Sequence, residues 1–200
     1  MTRLLLIRHA SIEANGKRLA GRLPGMHLDE LGKRQALALG ERLSRLPIAA
    51  IYSSPLERAF ETAEPIARLL GRKVAIREEL LEIEFGDWTG KTFGELDELP
   101  EFQRFNSFRS CSPVQGGEFM LQAQLRMVLA LDVLRRAHAD ECVAVVSHGD
   151  MIRAAIAYYA GIPLDLFQRL EVSPASVSTI DIDDTAVRLV SINDTAGLPD

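Results

Sequence analysis

The sequence predicts a three-layer α/β/α sandwich. Strand-like apolar runs alternate with stretches of helical periodicity along the whole chain. Two of those runs, Leu4–Ile7 and Cys142–Val146, are apolar at every position. That is the pattern of strands covered on both faces, as in a parallel α/β sheet. No Pro-rich linker interrupts the alternation. Residues 1–200 are therefore expected to form a single domain.

Each element has a local reason. After Leu4–Ile7 comes a Gly-rich loop over residues 15–25. Leu31, Ala36, Leu39 and Leu43 then recur at helical spacing, so Asp29 to Arg45 reads as a helix with Asp29 as cap. Pro47 closes it, and Ile48 to Tyr52 reads as a strand. In Ser53-Ser54-Pro55, Ser54 is the expected N-cap and Pro55 the first helical residue. That helix should run to Leu70 and stop at Gly71, with Pro65 a candidate kink or break. Val74 to Ile76 is a short strand, and residues 78–91 are an irregular, carboxylate-rich loop. The stretch from Lys91 to Val114 interrupts the alternation and is expected to be a helical cap over the site. Phe102, Phe105 and Phe108 are expected to pack within it rather than line its mouth. Gly116-Gly117 precedes a long amphipathic helix from about Glu118 to His138. The strand to Val146 and a helix from Asp150 to Tyr159 follow. Val177–Ile182 and Val187–Ile192 read as a hairpin around Asp183-Asp184, and residues 194–200 as a loose tail.

Composition removes several classes of function. Hydrophobic residues make up 47% of the chain, enough for a substantial core and too many for disorder. The formal net charge is -5, which argues against nucleic acid as a partner, because backbone phosphates need a basic surface. The first apolar run is too short for a signal peptide or a membrane span. Only Cys111 and Cys142 are present, which is no disulfide framework. A soluble cytoplasmic protein is expected, with a homodimer left open. No Walker sequence, dinucleotide fingerprint or zinc-spaced His/Cys cluster occurs, so neither a cofactor nor a metal is expected.

The chemistry concentrates where strands end. Leu4–Ile7 stops at Arg8-His9, and Cys142–Val146 stops at Ser147-His148-Gly149-Asp150. In open α/β sheets ligands bind outside the carboxyl ends of strands. Two histidines and an arginine should therefore meet at one sheet edge. Arg58 opens a helix after another strand, and Glu82 lies in the acidic loop. Taken singly, each residue has an ordinary structural use, and spacing alone does not separate Glu82 from its neighbours. Together they fit phosphoryl transfer. A neutral imidazole attacks, planar guanidiniums neutralise the equatorial oxygens, and a carboxyl protonates the leaving alkoxide. His148, beside a helix start at Gly149, would donate a further hydrogen bond. Glu82 is the chosen proton donor, with Glu84 in reserve.

At these residues the chain resembles the histidine phosphatase superfamily, in its phosphoglycerate mutase-like branch. The resemblance rests on Arg8-His9-Ala10, Glu30-Leu31-Gly32 with Gln35-Ala36, Ser53-Ser54-Pro55-Leu56-Glu57-Arg58-Ala59-Phe60-Glu61-Thr62-Ala63, Glu82 to Gly90, and Val146-Ser147-His148-Gly149. It implies a mixed, mostly parallel sheet and a covalent phosphohistidine. His9 would be the nucleophile, Arg8, Arg58 and His148 the phosphate pocket, and Glu82 the proton donor. Asn15 sits where the family often has a phosphate-contacting asparagine, so Asn15 and Gly149 join the binding group. Ala10, Ser11 and Ile12 depart from the family's Gly-Glu-Thr. Ala10 requires a negative φ. Ile83-Glu84-Phe85-Gly86 stands where true mutases have Arg-His-Tyr-Gly. That favours a metal-independent phosphatase of small phosphorylated metabolites over a phosphoglycerate mutase. A non-catalytic phosphate-binding module ranks third.

Overall fold

A computed structural model describes residues 1–199, whose main strands form one six-stranded sheet. The strands are β1 (Thr2–Arg8), β2 (Ile48–Ser53), β3 (Val74–Ile76), β4 (Cys142–Ser147), β5 (Val177–Ile182) and β6 (Val187–Asp194). Their order is β3-β2-β4-β1-β5-β6. β3, β2, β4 and β1 run parallel, while β5 pairs antiparallel with β1 and β6 with β5. The sheet is thus mixed and mostly parallel, as expected.

The period of two along each central strand sorts its side chains into two cores. Leu4 and Leu6 of β1, with Val143 and Val145 of β4, face one side; Leu5 and Ile7, with Ala144 and Val146, face the other. The second face is covered by α1 (Glu30–Leu43) and α2 (Glu57–Leu70). The first is covered by α5 (Met120–Ala137) and α6 (Gly149–Ala160), joined by the cap-side helices α3 (Phe93–Asp97) and α4 (Pro100–Ser107). No helix among the described residues is long and apolar enough to cross a membrane.

Local details correct several expectations. Asp29 does cap α1, accepting from the Gly32 N–H at 2.7 Å, but the helix ends at Leu43 rather than Arg45. Ser54 does not cap α2. The helix starts at Glu57 behind Leu56; the Ser54 hydroxyl oxygen accepts from the Leu56 N–H at 3.4 Å and is engaged with His148 at 2.8 Å. Pro65 neither breaks nor ends α2; its ring lies against Gly40 of α1, where a Cβ would approach it to 3.2 Å. α5 begins at Met120 rather than Glu118, whose N–H donates to the Glu84 carbonyl 2.8 Å away. The acidic loop contains two 3-10 turns, Glu78–Leu80 and Gly86–Trp88. At Gly86 φ is +47°, and an added Cβ would fall 2.1 Å from the Gln115 carbonyl oxygen, so only glycine lets the loop lie against residues 115–117. Phe85 and Trp88 anchor that loop in the core, and Trp88 meets Phe102 and Phe105 edge-on at 5.3 Å. Phe108, expected to pack, is instead 47% exposed.

The tail is not loose over the residues described. Arg42 donates to the Ala196 carbonyl at 2.8 Å, Gln35 donates to that of Pro199, and Leu198 packs on the core. Asp200, the last residue of that tail, lies outside the described residues.

Candidate active site

Strand register brings the predicted residues together. β1 and β4 are neighbours, paired Arg8 to Ser147, so His9 and His148 emerge side by side with ring centroids 5.3 Å apart. β2 flanks β4 on its other side, and the turn after it delivers Arg58 in the first turn of α2. Arg8, His9, Asn15, Arg58, Glu82 and Gly149 all line one cavity of about 450 Å³ at the carboxyl edge of the sheet. His148 stands behind His9, fully buried. Every residue expected in the site is therefore in or against one hollow.

The tautomer of His9 follows from its partner. Nδ1 lies 2.8 Å from the Ala10 carbonyl, which can only accept, so Nδ1 carries the proton and Nε2 keeps its lone pair. Burial, then the Arg58 and Arg8 charges, hold the His9 imidazole well below its ordinary pKa. Burial followed by Arg58 does the same for His148. Both rings are thus neutral at physiological pH. Ala10 has no positive φ, which meets the condition set by its methyl group. Its N–H donates to Thr62, whose hydroxyl in turn donates to the Arg58 carbonyl, tying β1's end to α2. Ser11 is fixed against α1, where a Cβ on Gly32 would stand 2.1 Å from the Ser11 carbonyl oxygen. Ser11 thus serves packing.

The guanidiniums are aimed rather than satisfied. Arg8 donates once to the Val172 carbonyl, and Arg58 once to the Gly21 carbonyl. Arg8 Nε, Arg58 Nε and Nη1, His148 Nδ1 and Asn15 Nδ2 are buried with no hydrogen-bond partner among the described residues. Buried polar groups are otherwise almost always paired, and unpaired buried cations are costly. A set of donors of this kind around one imidazole matches a tetrahedral oxyanion. Gly149 lets the Arg8 guanidinium close in: a Cβ there would lie 3.3 Å from Arg8 Nε.

Glu82 faces this cluster from the acidic loop. Burial, then the neighbouring Asp150 charge, push its carboxyl up to about 7. It can therefore hold or release a proton near neutrality. Glu84, the reserve candidate, pairs with Arg22 at 3.6 Å and does not line the cavity. His27 pairs with Glu61 at the surface, and His138 lies between Tyr52 and Glu141, so both stay outside the site.

Several supporting residues escaped the sequence reading. Arg22 donates to the Glu82 carbonyl at 2.7 Å. Arg126 of α5 donates to the Glu79 and Leu81 carbonyls at 2.6 and 2.9 Å. Glu118 accepts from both arginines. Apart from Arg126 to Glu118, eight positions apart, these contacts span tens of positions and have no local signal. Arg109 and Asp150 also line the cavity, joined at 3.0 Å. Asp150 was visible as the residue after His148-Gly149, but nothing in the sequence paired it with Arg109.

An α/β sheet presenting an uncharged imidazole amid convergent guanidiniums, with a carboxyl titrating near neutrality, defines a phosphoryl-transfer type of site. The family is given by comparison with known proteins: residues 4–195 match the model of the histidine phosphatase superfamily (branch 1), and the chain belongs to that superfamily. Phosphoserine phosphatase 1 of Hydrogenobacter thermophilus is 34% identical over 203 residues, covering 99% of this chain and 95% of that protein. Among solved structures, Bacillus stearothermophilus YhfR superposes with a TM-score of 0.93 at 30% identity, covering both chains fully. Phosphoserine phosphatase from Entamoeba histolytica in complex with 3-phosphoglyceric acid gives 0.90 at 29%, again over both whole chains.

Proposed function

We propose that this protein is a phosphatase that hydrolyses a small phosphorylated metabolite through a phosphohistidine on His9, without a metal. The observation that carries the reading is the ring of buried, protein-unpartnered donors around the His9 imidazole. The phosphoserine phosphatases among its relatives support the substrate class.

In the first half-reaction His9 Nε2 attacks phosphorus and the bond to the alcohol oxygen breaks. Arg8, Arg58, His148 and Asn15 hold the phosphoryl oxygens, and the N-terminus of α6 at Gly149 adds a favourable dipole. Glu82 gives its proton to the departing oxygen. In the second half-reaction the Glu82 carboxylate takes a proton from water, whose oxygen attacks phosphorus. The P–N bond breaks, phosphate leaves, and His9 is neutral again. A carboxyl near 7 suits both directions of transfer. The guanidiniums supply the charge neutralisation that a metal gives elsewhere.

Residues 1–200 form one catalytic domain in this reading, with 91–114 as a cap shaping substrate choice. Phe93, Asp97, Phe102, Asn106 and Arg109 from that segment line the cavity. Cys111 and Cys142 are free thiols, in keeping with a reducing cytoplasm. The test is phosphate release from a panel of phosphomonoesters in the presence of a chelator. Release unaffected by chelator is expected; chelator-sensitive release refutes the metal-free route. Interconversion of phosphoglycerates without free phosphate would make the protein a mutase.

A further inference from the structure

Arg109 is built into the molecule in a way the proposed chemistry does not use. It comes from the segment after α4, yet only 6% of its side chain is exposed. Its guanidinium lies between the rings of Phe105 and Phe167, 4.4 and 4.5 Å from their centroids. One Nη donates to Asp150 at 3.0 Å and the other to Asn106 at 2.7 Å, while Nε has no partner among the described residues. Asp150 sits in the first turn of α6, two residues after His148, and its other oxygen accepts from Arg153 at 3.1 Å. A carboxylate gripped by two guanidiniums has one orientation and one charge state. Asp150, Arg109, Arg153 and Glu82 all line the same cavity.

We propose that Arg109 and Asp150 are positioning residues for the proton-transfer step, a cap-borne guanidinium fixing an anion beside the acid–base carboxyl Glu82. The proposal rests on the phosphatase reading for what the proton is used for.

The charges around Glu82 show why such an anion is needed. Arg8 from β1 and Arg58 from α2 both favour an ionised Glu82, and Arg126 of α5 approaches its backbone. Arg109 from the cap and Arg153 from α6 add further positive charge nearby. His9 and His148 are neutral and do not offset it. Burial raises the Glu82 carboxyl most, and these cations work against it by favouring loss of the proton that the leaving alcohol requires. Asp150 is the anion that works against them. It stays ionised despite burial because Arg109 and Arg153 hold it below the usual carboxylate range. Arg109 in turn connects the cap to this balance, so a displaced cap would change the protonation of Glu82.

The two partners predict opposite signs, which a merely structural role would not produce. Removing the negative charge in Asp150→Asn leaves the cations uncompensated and should lower the Glu82 midpoint by about one pH unit. In Arg109→Gln, Arg153 still holds Asp150 ionised, so the loss of a positive charge from the cavity should raise the midpoint by a smaller amount. Carbon-13 titration of the Glu82 carboxyl reads both shifts without turnover, with folding checked by circular dichroism. The second readout is kcat/KM against pH. The basic limb for glycerol 2-phosphate should move in the same two directions, and Asp150→Asn should lose about tenfold at pH near 8. With p-nitrophenyl phosphate, whose leaving group needs little protonation, the loss should be smaller. An unmoved midpoint, or shifts of the same sign in both variants, overturns the proposal. If Asp150→Asn does not fold, an unmoved or lowered midpoint in Arg109→Gln overturns it alone. Opposite midpoint shifts in a protein that hydrolyses no phosphomonoester would leave the pair standing and sink the phosphatase reading instead.

Discussion

The proposed phosphate end and leaving-group end of the cavity are made by different means. The phosphate end hangs on regular structure: His9 follows β1, His148 follows β4, and Arg58 lies in the first turn of α2. Parallel pairing of those strands places the three side chains before any loop is considered. The leaving-group end hangs on irregular backbone. Glu82 lies between two 3-10 turns, and its loop is held by side chains from elsewhere, Arg22 and Arg126, which donate to its carbonyls. Arg109 reaches the same region from the cap. In the proposed reading, phosphate binding thus comes from the sheet and the proton donor from an irregular loop outside it. Burial works against the unpaired cations at one end and is the main cause of the raised carboxyl at the other.

The largest effect is expected at the phosphate end. Arg58→Gln removes two of the unpartnered donors and a charge, and kcat/KM should fall about a thousandfold. That loss should be the same for alkyl and aryl phosphates, because the phosphoryl group is common to both. Steady-state kinetics with one ester of each kind checks this. A loss confined to one leaving group would erase the distinction between the two ends.

At the other end Glu82→Gln should slow alkyl esters far more than p-nitrophenyl phosphate. It should also stabilise the protein, with a definite pH dependence. The folded state raises the Glu82 carboxyl from 4.5 to about 7. Native Glu82 therefore binds its proton more tightly than the unfolded chain does. Its contribution is intact below pH 4.5 and is lost as pH rises through about 7. Relative to glutamine, wild type is penalised above that point by on the order of 3 kcal/mol. Thermal melts at pH near 8 should show the variant higher, with the gap closing near pH 4. A gap that grows on acidification would contradict the assigned shift.

The same contrast explains what was legible in the sequence. Leu4–Ile7 and Cys142–Val146 announce buried parallel strands through their own composition, and the histidines that end them are adjacent in the chain to the signal. The phosphate end could therefore be read from local pattern plus the rule for sheet edges. Glu82 was named from the resemblance and from chemical need, since spacing alone left five acidic residues equivalent. Its neighbours were invisible. Arg126 acts across more than forty positions, and the partner of Arg109 lies 41 residues away. The misplaced cap at Ser54 has a similar cause. A serine before a proline is a good local cap, but here its hydroxyl is shared between a long 3.4 Å contact from the Leu56 N–H and a histidine 94 residues later. At Ser54 a tertiary contact competes with the local preference.

The covalent step is tested most directly by rapid quenching of the enzyme into alkali during turnover of a phosphorus-32-labelled monoester. The account predicts acid-labile, alkali-stable label approaching one phosphate per chain, located on His9 and absent from His9→Ala. Label on another residue, or unchanged labelling and turnover in His9→Ala, would contradict it.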